Sequence, residues 1–142
     1  MIHKTALIDS NAKISQNVSI GPYSIIGPNV EIGEGTIIKS HVNITGKTTI
    51  GKNTFLDNQI HIAHNVKIGE NSIIAGQVGI AGSSIIGSNV RIGGQAGISG
   101  HIKIGNNVEI GGGSGVIKNI PDNTKVMGYP AKNIREFLKD NK

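Results

Sequence analysis

From Ile2 onward an aliphatic residue stands at every sixth position without a slip, through Ile8, Ile14, Ile20 and Leu56 to Val116, twenty in succession. The residue four places after each is small or β-branched: Ala6, Ala12, Val18, Ser24, Val30, Thr36, and so on to Ile120. A period of six fits neither the 3.6-residue helix nor the two-residue alternation of a half-buried strand. It predicts a solenoid with short flat sides, each side one hexad, and each aliphatic residue turned inward. Gly often follows the inward residue (Gly21, Gly33, Gly51, Gly69, Gly87), and Asn recurs two places later (Asn53, Asn71, Asn89, Asn107). Both residue types tolerate the strained or left-handed backbone that a corner needs.

The repeat ends at Pro121-Asp122, which divides the chain into a solenoid over 1–121 and a loop with a short helix over 122–142. In the tail, Asn133 can start an amphipathic helix whose apolar positions are Ile134, Phe137 and Leu138. About two turns of helix are marginal alone, so this segment is expected to pack on the solenoid or on a neighbour and cover its end.

The hexads resemble those of the left-handed parallel β-helix family. That resemblance implies three hexads per triangular coil of 18 residues and nearly seven coils between residues 2 and 121. It also implies the left-handed winding, which runs against the usual handedness of parallel crossovers.

Composition narrows the rest. The 142 residues include no Cys or Trp, only four Phe and Tyr, and 21 Gly, so Ile and Val must fill the core. The lack of cysteine excludes disulfides and thiolate metal sites. The N-terminus Met1-Ile2-His3-Lys4-Thr5 has no apolar signal region and no run approaches spanning length, so a soluble, cytoplasmic protein without stable membrane insertion is expected. The net charge of +5 admits anionic partners. Scattered positive residues and scarce aromatic platforms argue against nucleic acid.

Chemistry concentrates where the repeat loses its monotony, at His61-Ile62-Ala63-His64-Asn65. Every third hexad falls on one face. That puts His64 and His101 together, two coils apart, on the order of 10 Å at ~4.8 Å per coil. From Ile44 onward the same face carries Lys47, Lys67, Lys103 and Lys118 and no carboxylate, a pattern that suits an anionic ligand. The hexads of an adjoining face, beginning at Ile74, Ile92 and Ile110, are nearly all Gly, Ala, Ser and Gln. Bare backbone there permits close approach by a ligand or another chain and suggests a homotrimer with clefts between subunits.

A closer resemblance rests on several of these stretches. Leu56-Asp57-Asn58-Gln59, Ile62-Ala63-His64-Asn65-Val66, Ile80-Ala81-Gly82-Ser83, Gly100-His101 and Gly128-Tyr129-Pro130-Ala131 are very similar to the catalytic segment of the UDP-3-O-acylglucosamine N-acyltransferases of lipid A synthesis, over residues 56–138. The first fifty residues, with Gly21-Pro22-Tyr23-Ser24 and Gly27-Pro28-Asn29-Val30, resemble the sister UDP-N-acetylglucosamine O-acyltransferases, as does His61-Ile62-Ala63-His64. The resemblance implies acyl transfer from acyl-carrier protein, or from coenzyme A, to an amino-sugar nucleotide, with no bound cofactor or metal. His64 matches the general base, and a neutral imidazole can take the proton of an attacking amine or hydroxyl. Gly82 matches the backbone donor to the oxyanion. Asn65, His101, His61, Lys67 and Lys103 are expected to contact substrate.

Three alternatives stand beside this. The chain carries neither the uridine-binding domain of the first family nor the longer helical domain of the second, so an inactive structural solenoid is one. A small acetyl-CoA-dependent sugar acetyltransferase is another. The third is a γ-type carbonic anhydrase, which needs three zinc ligands in reach of one another.

Overall fold

The computed structural model describes residues 1–142. The chain winds into a parallel β-solenoid of three sheets, each contributed to once per coil. Seven strands, from Leu7–Ile8 to Gly115–Val116, form the first sheet, and six, from Lys13–Ile14 to Lys103–Ile104, the second. The third begins at Ser19–Ile20, runs to Glu109–Ile110, and is extended by Lys125–Met127 and the antiparallel Lys132–Asn133. Within the solenoid neighbouring strands pair at an offset of one coil, as in His61↔Gly79 and Ile62↔Ile80, so like positions of the repeat stack directly.

Each strand of the repeat is two residues long: the last residue of one hexad points out and the first of the next points in. A hexad counted from its inward aliphatic residue is therefore mostly a corner, not a side, and this revises the face count made from the sequence. Gly79, Gly97 and Gly115 close hexads of the stripped series, yet they sit as outward residues of the first sheet, in the column that contains His61. Lys67 and Lys103 likewise open strands of the second sheet.

The interior is the predicted aliphatic ladder. The inward residues from Ile20 to Val116 are all buried, and the fourth-position residues pack between them. Where that fourth residue is Ser or Thr it is also buried, and its hydroxyl is hydrogen-bonded; the carbonyl accepting from Ser24, Thr36, Thr48 or Ser72 lies 15 residues further along. No buried side-chain polar atom is left unpaired, as burial of polar groups requires.

The corners bear out the left-handed backbone but divide the labour differently from expectation. The second residue of nearly every turn has φ between 53° and 64°, and it is Asn at the second corner (after the second-sheet strand) from Asn53 to Asn123. The Gly that follows the inward residue has ordinary φ. It is needed for close stacking: a Cβ on Gly51 would lie 2.6 Å from Glu70 N and from Gly69 C in the next coil.

Past Pro121 the parallel stack continues. Val126 lies against Ile110, Gly128 O accepts from Gly115 N–H (2.9 Å), and Ala131 N–H donates to Gly115 O (2.7 Å). The helix Ile134–Asp140 follows, with Asn133 Oδ1 accepting from Arg135 N–H at its N-terminus (3.0 Å). Phe137 packs over Gly128, so the tail closes this end of the solenoid. No helix is long and apolar enough to cross a membrane.

Candidate active site

His64 is the first residue of the turn that leads from the first sheet to the second, and Asn65 is the second, at φ 58°. Asn65 Oδ1 lies 3.1 Å from His64 Nδ1. An amide oxygen only accepts, so this contact places the proton on Nδ1 and leaves the Nε2 lone pair free. The free nitrogen points along the solenoid axis toward the next coil. A Cβ on Gly82, which occupies the equivalent place there, would come within 2.6 Å of His64 Nε2 and 2.7 Å of Cε1. The imidazole fills the space that any side chain at residue 82 would need.

Gly82 also keeps an unused donor. Its carbonyl accepts from His101 N–H (3.1 Å) and Ser83 N–H donates to His64 O (2.9 Å), but the Gly82 N–H has no acceptor in the chain. Several corresponding amides at the second corner are capped by side chains, Glu70 N–H by Ser88 Oγ (3.1 Å) and Ser88 N–H by Asn106 Oδ1 (2.8 Å) among them. A free N–H beside a free imidazole nitrogen is the pairing that acyl transfer requires, a proton acceptor and a donor for developing negative charge.

Alongside this corner runs a groove of about 520 Å³ on the first sheet. His61 and Ala63 stand at one end, Gly79 and Gly97 form its floor, Ala81 and Gly82 its margin toward His64, and Tyr129 its far end. The Tyr129 ring lies directly over Gly115, where a Cβ would collide with it. Mostly apolar and without projecting side chains along its floor, the groove is open to an extended ligand beside His64.

The structure thus brings His64, Asn65 and Gly82 together, joins His101 to them through the Gly82 carbonyl, and seats His61 in the groove beyond the turn. Lys67 and Lys103 project from the second sheet, on the other side of the corner, while Lys47 and Lys118 stay in the corner turns with His64. No three His, Asp or Glu side chains gather as a metal site would need. The sequence marked the hexads ending in Gly79, Gly97 and Gly115 as bare enough for a ligand but assigned them to an adjoining face, and it gave Tyr129 no role. The signal was present in the Gly at residues 79, 97 and 115, one coil apart from each other and from His61.

Comparison with known proteins agrees with the repeat and the fold. The GMPPB C-terminal domain family matches residues 2–94, and the bacterial transferase hexapeptide (six repeats) matches residues 83–118. The acyl-[acyl-carrier-protein]–UDP-N-acetylglucosamine O-acyltransferase of Bartonella quintana is 46% identical over 48 residues, 34% of this chain and 18% of that protein. LpxA of Acinetobacter baumannii is 30% identical, with a TM-score of 0.61 over 99% of this chain and 77% of its own. Perosamine N-acetyltransferase of Caulobacter crescentus, solved with CoA and GDP-perosamine, shares the fold at a TM-score of 0.76 and 20% identity, over 93% of this chain and 54% of its own. The chain therefore belongs to the GMPPB C-terminal domain family and, through its hexads and its likeness to LpxA, to the hexapeptide-repeat acyltransferases.

Proposed function

We propose that this protein transfers an acyl group from a thioester donor, acyl-carrier protein or CoA, to the amine of an amino-sugar nucleotide, with His64 as general base. The observation that carries the reading is the free His64 Nε2 directly over Gly82, whose N–H is also free. In the reaction the acceptor amine attacks the thioester carbonyl carbon, and the new C–N bond forms as His64 Nε2 takes the amine proton. The carbonyl oxygen becomes an oxyanion and accepts from the Gly82 N–H. Collapse breaks the C–S bond, and the proton held by His64 leaves with the thiolate. Asn65 holds the imidazole in the tautomer that can do this, and it stabilises the imidazolium through the same contact.

The groove of the first sheet gives the donor's flexible arm a bare floor from Tyr129 toward Gly82. His61 and His101 contact substrate, and Lys67 and Lys103 supply positive charge for a phosphate-bearing ligand approaching across the corner. A homotrimer in the cytoplasm completes the reading, with clefts between subunits enclosing a site that is exposed on one chain. The donor and acceptor classes draw support from the O-acyltransferase and N-acetyltransferase relatives, one named for an acyl-carrier-protein donor and the other solved with CoA and a sugar nucleotide.

The test is a thioester-consumption assay with acyl-carrier-protein and acetyl-CoA donors, each across amino and hydroxy sugar nucleotides. Product amide with an amino-sugar nucleotide is expected. Product ester alone would move the acceptor to a hydroxyl, and no turnover with any pair would leave the inactive scaffold as the better description.

A further inference from the structure

The turn that carries His64 is not closed in the simplest way. In several turns of this solenoid the amide just after the turn donates straight to the carbonyl just before it: Ala12 N–H to Asp9 O (3.0 Å), Ala96 N–H to Gly93 O (3.3 Å). In the His64 turn a hydroxyl from the preceding coil stands between the two groups. Val66 N–H donates to Thr48 Oγ1 (3.1 Å), and that hydroxyl donates to Ala63 O (2.8 Å). Thr48 is completely buried, and neither Val66 N–H nor Ala63 O has another partner. One hydroxyl therefore holds both ends of Ala63-His64-Asn65-Val66 at the spacing of an opened turn.

Its place in the corner is selective. The inward column there reads Ala12, Val30, Thr48, Val66, Ser84, Ile102, Ile120. Its two hydroxyls each lie one coil before a histidine turn: Thr48 before His64, and Ser84, whose Oγ donates to Ser99 O (2.6 Å), before the turn of His101.

We propose that Thr48 is a positioning residue for His64, its inserted hydroxyl holding the turn open so that Asn65 Oδ1 reaches Nδ1 and Nε2 lies over Gly82. The inference rests on the reading of His64 as the base, and deepens it. Without the hydroxyl the turn must either close by a direct Val66 N–H to Ala63 O bond, which rotates the two residues between, or leave two buried backbone groups unpaired.

The experiment compares Thr48→Val with Thr36→Val. Thr36 makes the same insertion at the second corner, accepting from Thr54 N–H (3.2 Å) and donating to Gly51 O (2.9 Å), in a turn without histidine. Both variants are expected to lower the unfolding midpoint alike. Only Thr48→Val should shift the His64 imidazole nitrogen signals away from the Nδ1–H form in 15N NMR, and only it should lower kcat, on the order of ten- to a hundredfold, with KM changed by less than about twofold. Thr48→Ser should restore both. If Thr48→Val does not fold, Thr48→Ala carries the same expectation with a smaller side chain. An unchanged His64 spectrum in the Thr48 variants, or the same change in Thr36→Val, would overturn the proposal. Absence of turnover in the wild-type protein would defeat the acyltransferase reading alone, because the imidazole spectrum still reports the positioning.

Discussion

The first and second corners of the solenoid are built from the same hexad, and they differ in what they leave unused. At the second corner the left-handed residue is Asn in almost every coil, and the preceding Gly lets the coils approach until a Cβ would meet the next layer at 2.6 Å or less. Three turn amides there, those of Glu70, Ser88 and Asn106, are capped coil to coil by Ser88, Asn106 and Asp122. At the first corner the left-handed residues change from Asn29 to Lys47, Asn65, Ser83 and His101, and the tightly stacked Gly gives way to Ala63, Ala81 and Ser99. The Gly82 amide stays uncapped. From Glu70 onward the second corner's turn donors are taken up by the next coil and serve only to hold the stack, although the Glu34 and Lys52 amides earlier in that corner stay uncapped. The corner that tolerates variety has groups left over for a ligand.

Substitutions at the two corners should separate these roles. The largest effect is expected from His64→Ala, which should lower turnover by a factor on the order of 10² to 10⁴, the range of general-base catalysis. Because His64 is exposed, its unfolding midpoint should stay near wild type. A midpoint that falls with the activity would make His64 a structural residue like its counterparts at the second corner.

Gly51→Ala should do the opposite. Its new Cβ meets backbone that cannot rotate away, and overpacking of this kind costs about 1–3 kcal/mol, read as a lower urea midpoint with turnover at 25 °C retained in the folded fraction. Gly82→Ala falls between the two. The obstacle it meets is the imidazole of His64, an exposed side chain that can swing aside, so stability should change by less than about 1 kcal/mol, while displacement of Nε2 lowers kcat on the order of tenfold or more. Equal stability losses in the two glycine variants would erase the contrast between the corners.

The smallest effect is expected from Asn65→Gly, which tolerates the left-handed backbone and removes the exposed side chain whose Oδ1 meets His64 Nδ1. A loss of roughly 1 kcal/mol of transition-state stabilisation, about fivefold in kcat, corresponds to one hydrogen bond. Asn71→Gly at the second corner should leave activity untouched, and steady-state kinetics on the pair provides the check.

Much of this architecture can be read directly from the chain. The unbroken aliphatic residue at every sixth position, with small or β-branched residues four places on, admits only a solenoid with an Ile and Val core. The Asn residues that mark the left-handed corner positions follow from the same periodicity. The position of His64 within its hexad likewise places Gly82 one coil on at the equivalent point.

What periodicity could not decide is where a side ends and a corner begins, because a repeat of six has no origin. The two-residue strands set that origin, and with it they moved Lys67 and Lys103 to the second sheet and Gly79, Gly97 and Gly115 to the sheet of His61. The direction of the His64 imidazole and the hydroxyl of Thr48 beneath its turn also depend on contacts one coil away. Repetition along the chain was enough to specify the stack, because every coil meets a near copy of itself. The candidate site lies where adjacent coils differ, and which groups those differences leave free depends on how the coils pack.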